Sequence, residues 1–175
     1  MTERVARPAL VFSHRNRADT KKENTMKVGI ANDHAAVSFK FALKEYLESK
    51  GFEVVDYGST DPKAADDYPD FGQKVAEELV AGNIERGVLI CGTGVGIALA
   101  ANKVPGVRAG VCSEPTTARL IVQHNNANII SLGERIVGIE LAKDILDAFF
   151  AAEFEGGRHA RRVDKITAIE QKYSK

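Results

Sequence analysis

The sequence predicts one α/β domain in which helices cover both faces of a five-stranded parallel sheet, a three-layer α/β/α sandwich. From Lys27 onward, short β-rich runs alternate with helical patterns five times, as expected of βα units whose strands run parallel. The run Gly87-Val88-Leu89-Ile90-Cys91 is apolar throughout, as a central strand covered on both faces requires. At 175 residues and 44% hydrophobic, the chain can bury one continuous core and is too short for two ordinary domains and a linker.

The elements follow in order. Lys27–Ala31 reads as the first strand. Ala35–Lys50 follows as a helix, because Ala36, Phe39, Leu43 and Leu47 recur at helical spacing and Gly51 supplies a stop. Glu53–Tyr57 is the second strand. Asp70, after Pro69, is placed to cap a helix whose stripe is Phe71, Val75 and Leu79 and which stops at Gly82. Gly87–Cys91 leads through a glycine-rich turn into a helix expected to end near Val104-Pro105-Gly106. Arg108–Cys112 is the fourth strand, and Ser113 is the expected N-cap of a helix with Pro115 in its first turn, running to about His124. Asn128–Leu132 is the fifth strand, and Leu141, Ile145 and Phe149 mark the next helix. After the Gly156-Gly157 break, Val163, Ile166, Ile169 and Tyr173 form the stripe of a terminal helix, which the pattern alone places on its own domain or on a partner subunit.

Composition narrows the function classes. Acidic and basic residues balance at 24 each, so no global field draws the chain to nucleic acid or to an anionic membrane, and any anion site must be built locally. Cys91 and Cys112 show neither a CxxC nor a Cys/His metal spacing, which argues against a disulfide scaffold or structural zinc and fits a reducing cytoplasm. No apolar run approaches the roughly 20 residues of a membrane span. Residues 1–25 are basic and polar without a signal-peptide core, and read as a disordered extension outside the domain of residues 26–175.

In open α/β sheets, ligands collect at the carboxyl ends of the strands. That rule selects Asp33 and His34, the segment Cys91 to Gly96, Ser113 and Arg135. The turn Cys91-Gly92-Thr93-Gly94-Val95-Gly96 has three glycines in five residues, so backbone amides can converge on an oxyanion at the start of a helix. It lacks both the lysine of a nucleotide P-loop and GxGxxG spacing, so ATP and dinucleotides fit it poorly. A thiol beside a helix N-terminus ionises more readily, which makes Cys91 a usable general base. Cys112 also ends a strand, but no glycine turn follows it and it reads as an inert core cysteine. His34, His124 and His159 are candidate acids or phosphate donors. Arg135, Arg158, Arg161 and Arg162 concentrate positive charge late in the chain, and the guanidinium fork suits a phosphate.

Taken together, Asp33-His34, Cys91-Gly-Thr-Gly-Val-Gly-Ile, Ala101-Asn102-Lys103, Cys112-Ser113-Glu114-Pro115, His124-Asn125 and Gly156-Gly157-Arg158-His159 resemble the type B ribose-5-phosphate isomerases in order and spacing. That family also includes galactose-6-phosphate and allose-6-phosphate isomerases. The resemblance runs from Met26 to the C-terminus. It implies a Rossmann-like sandwich, and a homodimer or dimer of dimers with active sites shared between subunits, which would give the terminal helix a partner. It further implies interconversion of ribose 5-phosphate and ribulose 5-phosphate through a cis-enediolate, with neither metal nor cofactor. By the same resemblance Cys91 is the base, Thr93 and the amides of Gly92, Gly94 and Gly96 stabilise the enediolate, and His124 opens the furanose ring. Asp33 and Asn125 would hold sugar hydroxyls, and His34, Arg135, Arg158 and Arg162 the phosphate. Some members carry a glutamate base later in the loop, where this sequence has Ile97. Hexose phosphates are the rival substrates. A non-catalytic sugar-phosphate sensor has no need of a proton-transfer base, and a flavodoxin-like nucleotide module lacks its loop.

Overall fold

A computed structural model describes residues 25–174. The expected extension over residues 1–25 therefore lies, apart from Thr25, outside the described residues. Five strands, β1 (Lys27–Asn32), β2 (Glu53–Asp56), β3 (Arg86–Cys91), β4 (Ala109–Val111) and β5 (Ile129–Gly133), form one sheet in the order β2-β1-β3-β5-β4, with every pairing parallel. The helices are α1 (Val37–Ser49), α2 (Tyr68–Val80), α3 (Val95–Ala101), α4 (Pro115–Asn125), α5 (Ile139–Ala151) and α6 (Arg158–Tyr173).

Two apolar clusters show why there are three layers. On one face, Val88 and Ile90 of β3 pack with Leu43 and Leu47 of α1, Val122 of α4, and Ile145 and Phe149 of α5. On the other, Leu89 and Cys91 pack with Val75 of α2 and Ile97 and Ala101 of α3. The alternation is the two-residue period of a strand, and it puts the Cys91 thiol on the α2/α3 side. Among the described residues no helix is long and apolar enough to cross a membrane.

Several element boundaries differ from the sequence pattern, each for a local reason. α1 is preceded by a 3₁₀ turn, His34–Ala36, because the Asp33 carboxylate accepts a hydrogen bond from the Ala35 amide at 3.1 Å. α2 begins at Tyr68 after Asp67, so Asp70 lies inside its first turn instead of capping it. The cap of α4 is Glu114 and not Ser113: Pro115 fixes the first helical position, and the Glu114 carboxylate receives the amides of Thr116 and Thr117. α3 stops at Ala101, ahead of the expected Val104–Gly106. There the Asn102 amide pairs with both the N–H and the carbonyl of Ala109, at 2.8 and 2.9 Å, and pulls the chain toward β4.

Lys40 is fully buried on the α1 face that the pattern reserves for apolar residues. Its Nζ lies 2.8 Å from Asp56 Oδ2 and donates to the Ser59 carbonyl at 2.9 Å, so it ties α1 to the end of β2. α6 seats His159 and Val163 in the protein and packs against α4, while Ile166, Ile169 and Tyr173 stay exposed in the single chain. The helix therefore belongs to its own domain at its start and presents an uncovered stripe beyond it.

Candidate functional site

The carboxyl ends of β1, β3 and β5 converge on Cys91. Its partner across the ladder is Gly133, and the segment after β5 is stitched to the segment after β3: Glu134 N–H donates to the Cys91 carbonyl and Arg135 N–H to the Gly92 carbonyl, both at 3.0 Å. These bonds lay the Arg135 side chain across the loop. A Cβ on Gly92 would stand 3.2 Å from the guanidinium carbon, so a glycine here lets the cation sit against the main chain.

The glycine turn is built around sulfur. Gly94 N–H donates to Cys91 Sγ at 3.1 Å. Cys91 is 5% exposed, buried at the bottom of the turn against Val75, Ile97 and Ala101. Holding the amide there requires φ +77 at Gly94, and the buried Ser131 hydroxyl clamps the loop by donating to the Gly94 carbonyl at 2.6 Å. A Cβ at Gly94 would lie 2.8 Å from the Leu132 carbonyl carbon. Gly94→Ala is therefore expected to cost at least about 2 kcal/mol, from left-handed strain plus a backbone clash, and to be read as a lower denaturation midpoint together with lost activity. Gly96 is small for a different reason, because Tyr68 packs against it: a Cβ would come within 2.6 Å of the ring. Thr93 is exposed at the rim and its hydroxyl accepts from Val95 N–H at 3.3 Å. α3 has only seven residues, so charge stabilisation here rests on individual amides more than on a helix dipole.

Asp33 and His34 stand beside this turn at the end of β1. The His34 backbone N–H and ring Nδ1 both contact Asp66 Oδ1, at 2.9 and 2.8 Å. That hydrogen bond, reinforced by the charges of Asp33 and Asp66, raises the imidazole above its ordinary value of 6.5 against a smaller desolvation effect. Burial pushes the Asp66 carboxyl up, but hydrogen bonds from Ser59 and from His34 outweigh it and leave the group below its usual range. The contact thus favours the charged form of both partners, imidazolium on His34 and carboxylate on Asp66. Asp66 was not singled out by sequence. It lies in the aperiodic stretch between β2 and α2, and the neighbouring Asp61, Asp67 and Asp70 look the same in one dimension.

His124, Asn125, Arg158 and Arg162 do not join this group within one chain. α4 leaves the carboxyl end of β4 and returns to the start of β5, so its last turn, with His124 and Asn125, lies at the opposite edge of the sheet from Cys91. Its 11 residues alone span about 16 Å. Arg158 and Arg162 sit on α6 beside that same last turn, where His159 stacks on His124. The sequence-predicted set therefore divides in two: Asp33, His34, Gly92, Gly94, Gly96, Cys91, Thr93 and Arg135 at one edge, and the remaining four at the other.

Comparison with known proteins shows the family and the fold. A family model described as Ribose/Galactose Isomerase matches residues 28–166. Ribose-5-phosphate isomerase B of Escherichia coli (strain K12) is 47% identical over 146 residues, covering 83% of this chain and 97% of the relative. The structure of Clostridium thermocellum ribose-5-phosphate isomerase B superposes with a TM-score of 0.83 at 53% identity, covering 85% of this chain and all of that one. A Mycoplasma genitalium ribose-5-phosphate isomerase B, solved with bound ribulose-5-phosphate, gives 0.79 at 45% identity and covers 83% of this chain and 97% of its own. With the match running from β1 into α6, and with a cysteine and glycine turn at the end of β3, this chain belongs to the ribose/galactose isomerase family.

Proposed function

We propose that the protein is an aldose–ketose isomerase that interconverts ribose 5-phosphate and ribulose 5-phosphate. The observation that carries this reading is the Cys91 sulfur, held by the Gly94 amide beneath Arg135. As thiolate, Cys91 removes the C2 proton of the open-chain aldose. The C1 carbonyl becomes an enediolate oxygen, the O2 proton passes to O1, and the sulfur returns its proton to C1. The carbon acid is weak, so the rate depends on donors aimed at the enediolate. In this reading the amides of Gly92 and Gly96 and the Thr93 hydroxyl supply them, and the Gly94 amide acts through the sulfur it already touches. The phosphate is bound by His34 and Arg135 and anchors the reacting carbons against the sulfur.

The other half of the site comes from a second subunit. His124 opens the furanose ring, Asn125 and Asp33 hold sugar hydroxyls, and Arg158 and Arg162 complete the phosphate cradle. Two observations support a homodimer or a dimer of dimers with shared sites. The two halves lie at opposite edges of one chain, and Leu99 of α3 and Ile169 and Tyr173 of α6 are 61%, 60% and 73% exposed, apolar side chains that a second copy would cover. The enzyme is placed in the cytoplasm, needs no metal or cofactor, and does not act on nucleic acid or at a membrane.

An assay with ribose 5-phosphate, allose 6-phosphate and galactose 6-phosphate, run with and without chelator, tests the reading. Turnover is expected to be fastest with the pentose and unchanged by chelator. Preference for a hexose would reassign the substrate, binding without turnover would make the protein a sensor, and loss on chelation would overturn the metal-free mechanism. The pH dependence supplies a second check. His34 binds phosphate as the cation, so KM for ribose 5-phosphate is expected to rise as pH passes upward through its raised pKa. Asp66→Asn removes the chief cause of that shift and is expected to move the rise in KM to lower pH, with kcat less affected.

A further inference from the structure

The glycine pair Gly156 and Gly157, both at positive φ (64 and 53), turns the chain sharply into α6. The turn brings His159, which is 5% exposed, beneath the last turn of α4. There its ring lies flat on that of His124, with centroids 4.2 Å apart and planes within 1°. Glu155 reaches the same place from the linker between α5 and α6. Its N–H donates to the Gln123 carbonyl at 3.0 Å, which fixes the carboxylate beside α4. Glu155 Oε2 then stands 3.6 Å from His159 Nε2 and 4.0 Å from His124 Nε2.

The proton inventory is ordered by Arg158. Its Nε donates to His159 Nε2 at 3.3 Å, so that nitrogen is an acceptor and the His159 proton sits on Nδ1, which is buried and without a hydrogen-bond partner. Burial, then the neighbouring His124 and Arg158, hold His159 below its ordinary range. A neutral ring can stack on a second imidazole in either of that ring's charge states. The Glu155 carboxylate, 4.0 Å from His124 Nε2, acts on that edge as a neighbouring negative charge and not as a hydrogen-bond acceptor.

The ligating atoms of these three residues all lie within 4.8 Å of one another, a spacing that also suits a metal ion. The stack argues against that use. The lone pairs of parallel rings lie in separate parallel planes, so one ion bound to both would stand out of the plane of at least one ring.

We propose that His159 and Glu155 are positioning residues for His124, the first fixing its ring plane by stacking and the second fixing its Nε2 edge. The inference rests on the reading of His124 as the group that opens the sugar ring. It predicts a defect confined to substrates that need opening. Ribose 5-phosphate is a furanose, whereas ribulose 5-phosphate has its O5 esterified and no hydroxyl placed to close a five-membered ring.

The test compares His159→Gln, His159→Phe and His124→Asn in both directions of the reaction. His124→Asn is expected to lose about 100-fold in kcat with ribose 5-phosphate and far less with ribulose 5-phosphate. His159→Gln should lose about tenfold with ribose 5-phosphate, at a KM within about twofold, and much less with the ketose. His159→Phe keeps a flat ring and should recover most of that loss. Equal slowing of both substrates by His159→Gln, or no slowing, overturns the inference. If His124→Asn itself slows both substrates equally, it is the ring-opening reading that fails. Should His159→Gln unfold, Glu155→Gln, on an exposed side chain, carries the test: the same split is expected at smaller size, and its absence counts against the proposal.

Discussion

Cys91→Ala is expected to lower kcat by about 10³-fold or more while leaving the affinity for a non-reacting phosphorylated polyol, such as ribitol 5-phosphate, within about twofold of wild type. The size follows from the absence of a substitute. The later loop position that holds a carboxylate in some relatives is Ile97 here, fully buried among α2 and α3 residues. One oxygen of the Asp33 carboxylate accepts from the Ala35 amide, and in the proposed site the group holds sugar hydroxyls and not the C2 proton. Binding should survive because the residues proposed to hold the phosphate do not depend on the sulfur: Arg135 is positioned by its main-chain bond to Gly92 and His34 by Asp66. Cys91→Ser should be nearly as inactive, since a hydroxyl gives up its proton far less readily than a thiol. Stopped assays for turnover and calorimetry for binding separate the two effects. Near-normal turnover in Cys91→Ala would remove the thiol from the mechanism.

The architecture was legible in the sequence wherever a period of two or of 3.6 residues ran unbroken. The apolar run ending at Cys91 announced a central strand, and β3 lies between β1 and β5. Boundaries were less legible, because side chains acting across space decide them. Asn102 ends α3 by pairing with Ala109, seven residues on, and Glu114 caps α4 because Pro115 fixes the first turn. Lys40 defied the pattern altogether. Its burial depends on Asp56 in the next strand, a partner that no helical stripe reveals.

The site was legible for a topological reason. Residues following parallel strands share one edge, so the order of elements alone groups Asp33, Cys91 and Arg135. Asp66 and Glu155 escaped that rule because both sit in connections, and their value lies in the histidine each one faces. The separation of His124 from Cys91 was equally invisible in residue spacing. It follows from helix direction: a helix that begins at the carboxyl edge must end at the amino edge.

That separation makes the second large prediction. Cys91→Ala and His124→Asn homodimers should each be nearly inactive with ribose 5-phosphate, the first for want of a base and the second for want of ring opening. If each site takes Cys91 from one protomer and His124 from the other, a mixed dimer contains one site with both native residues and one with neither. Random reassortment puts about half of the dimers in mixed form, so about a quarter of all sites should regain wild-type function. Unfolding the two variants together and refolding them should therefore restore roughly a quarter of the wild-type rate, whereas refolding either alone restores none. The control is a Cys91→Ala, His124→Asn double variant refolded with wild type. There each site of a mixed dimer lacks one group, and activity should fall to about a quarter of wild type. Sites complete within one protomer would give the opposite pattern, with no recovery in the first mixture and about half the activity retained in the second. The two arrangements are thus distinguished by rates alone.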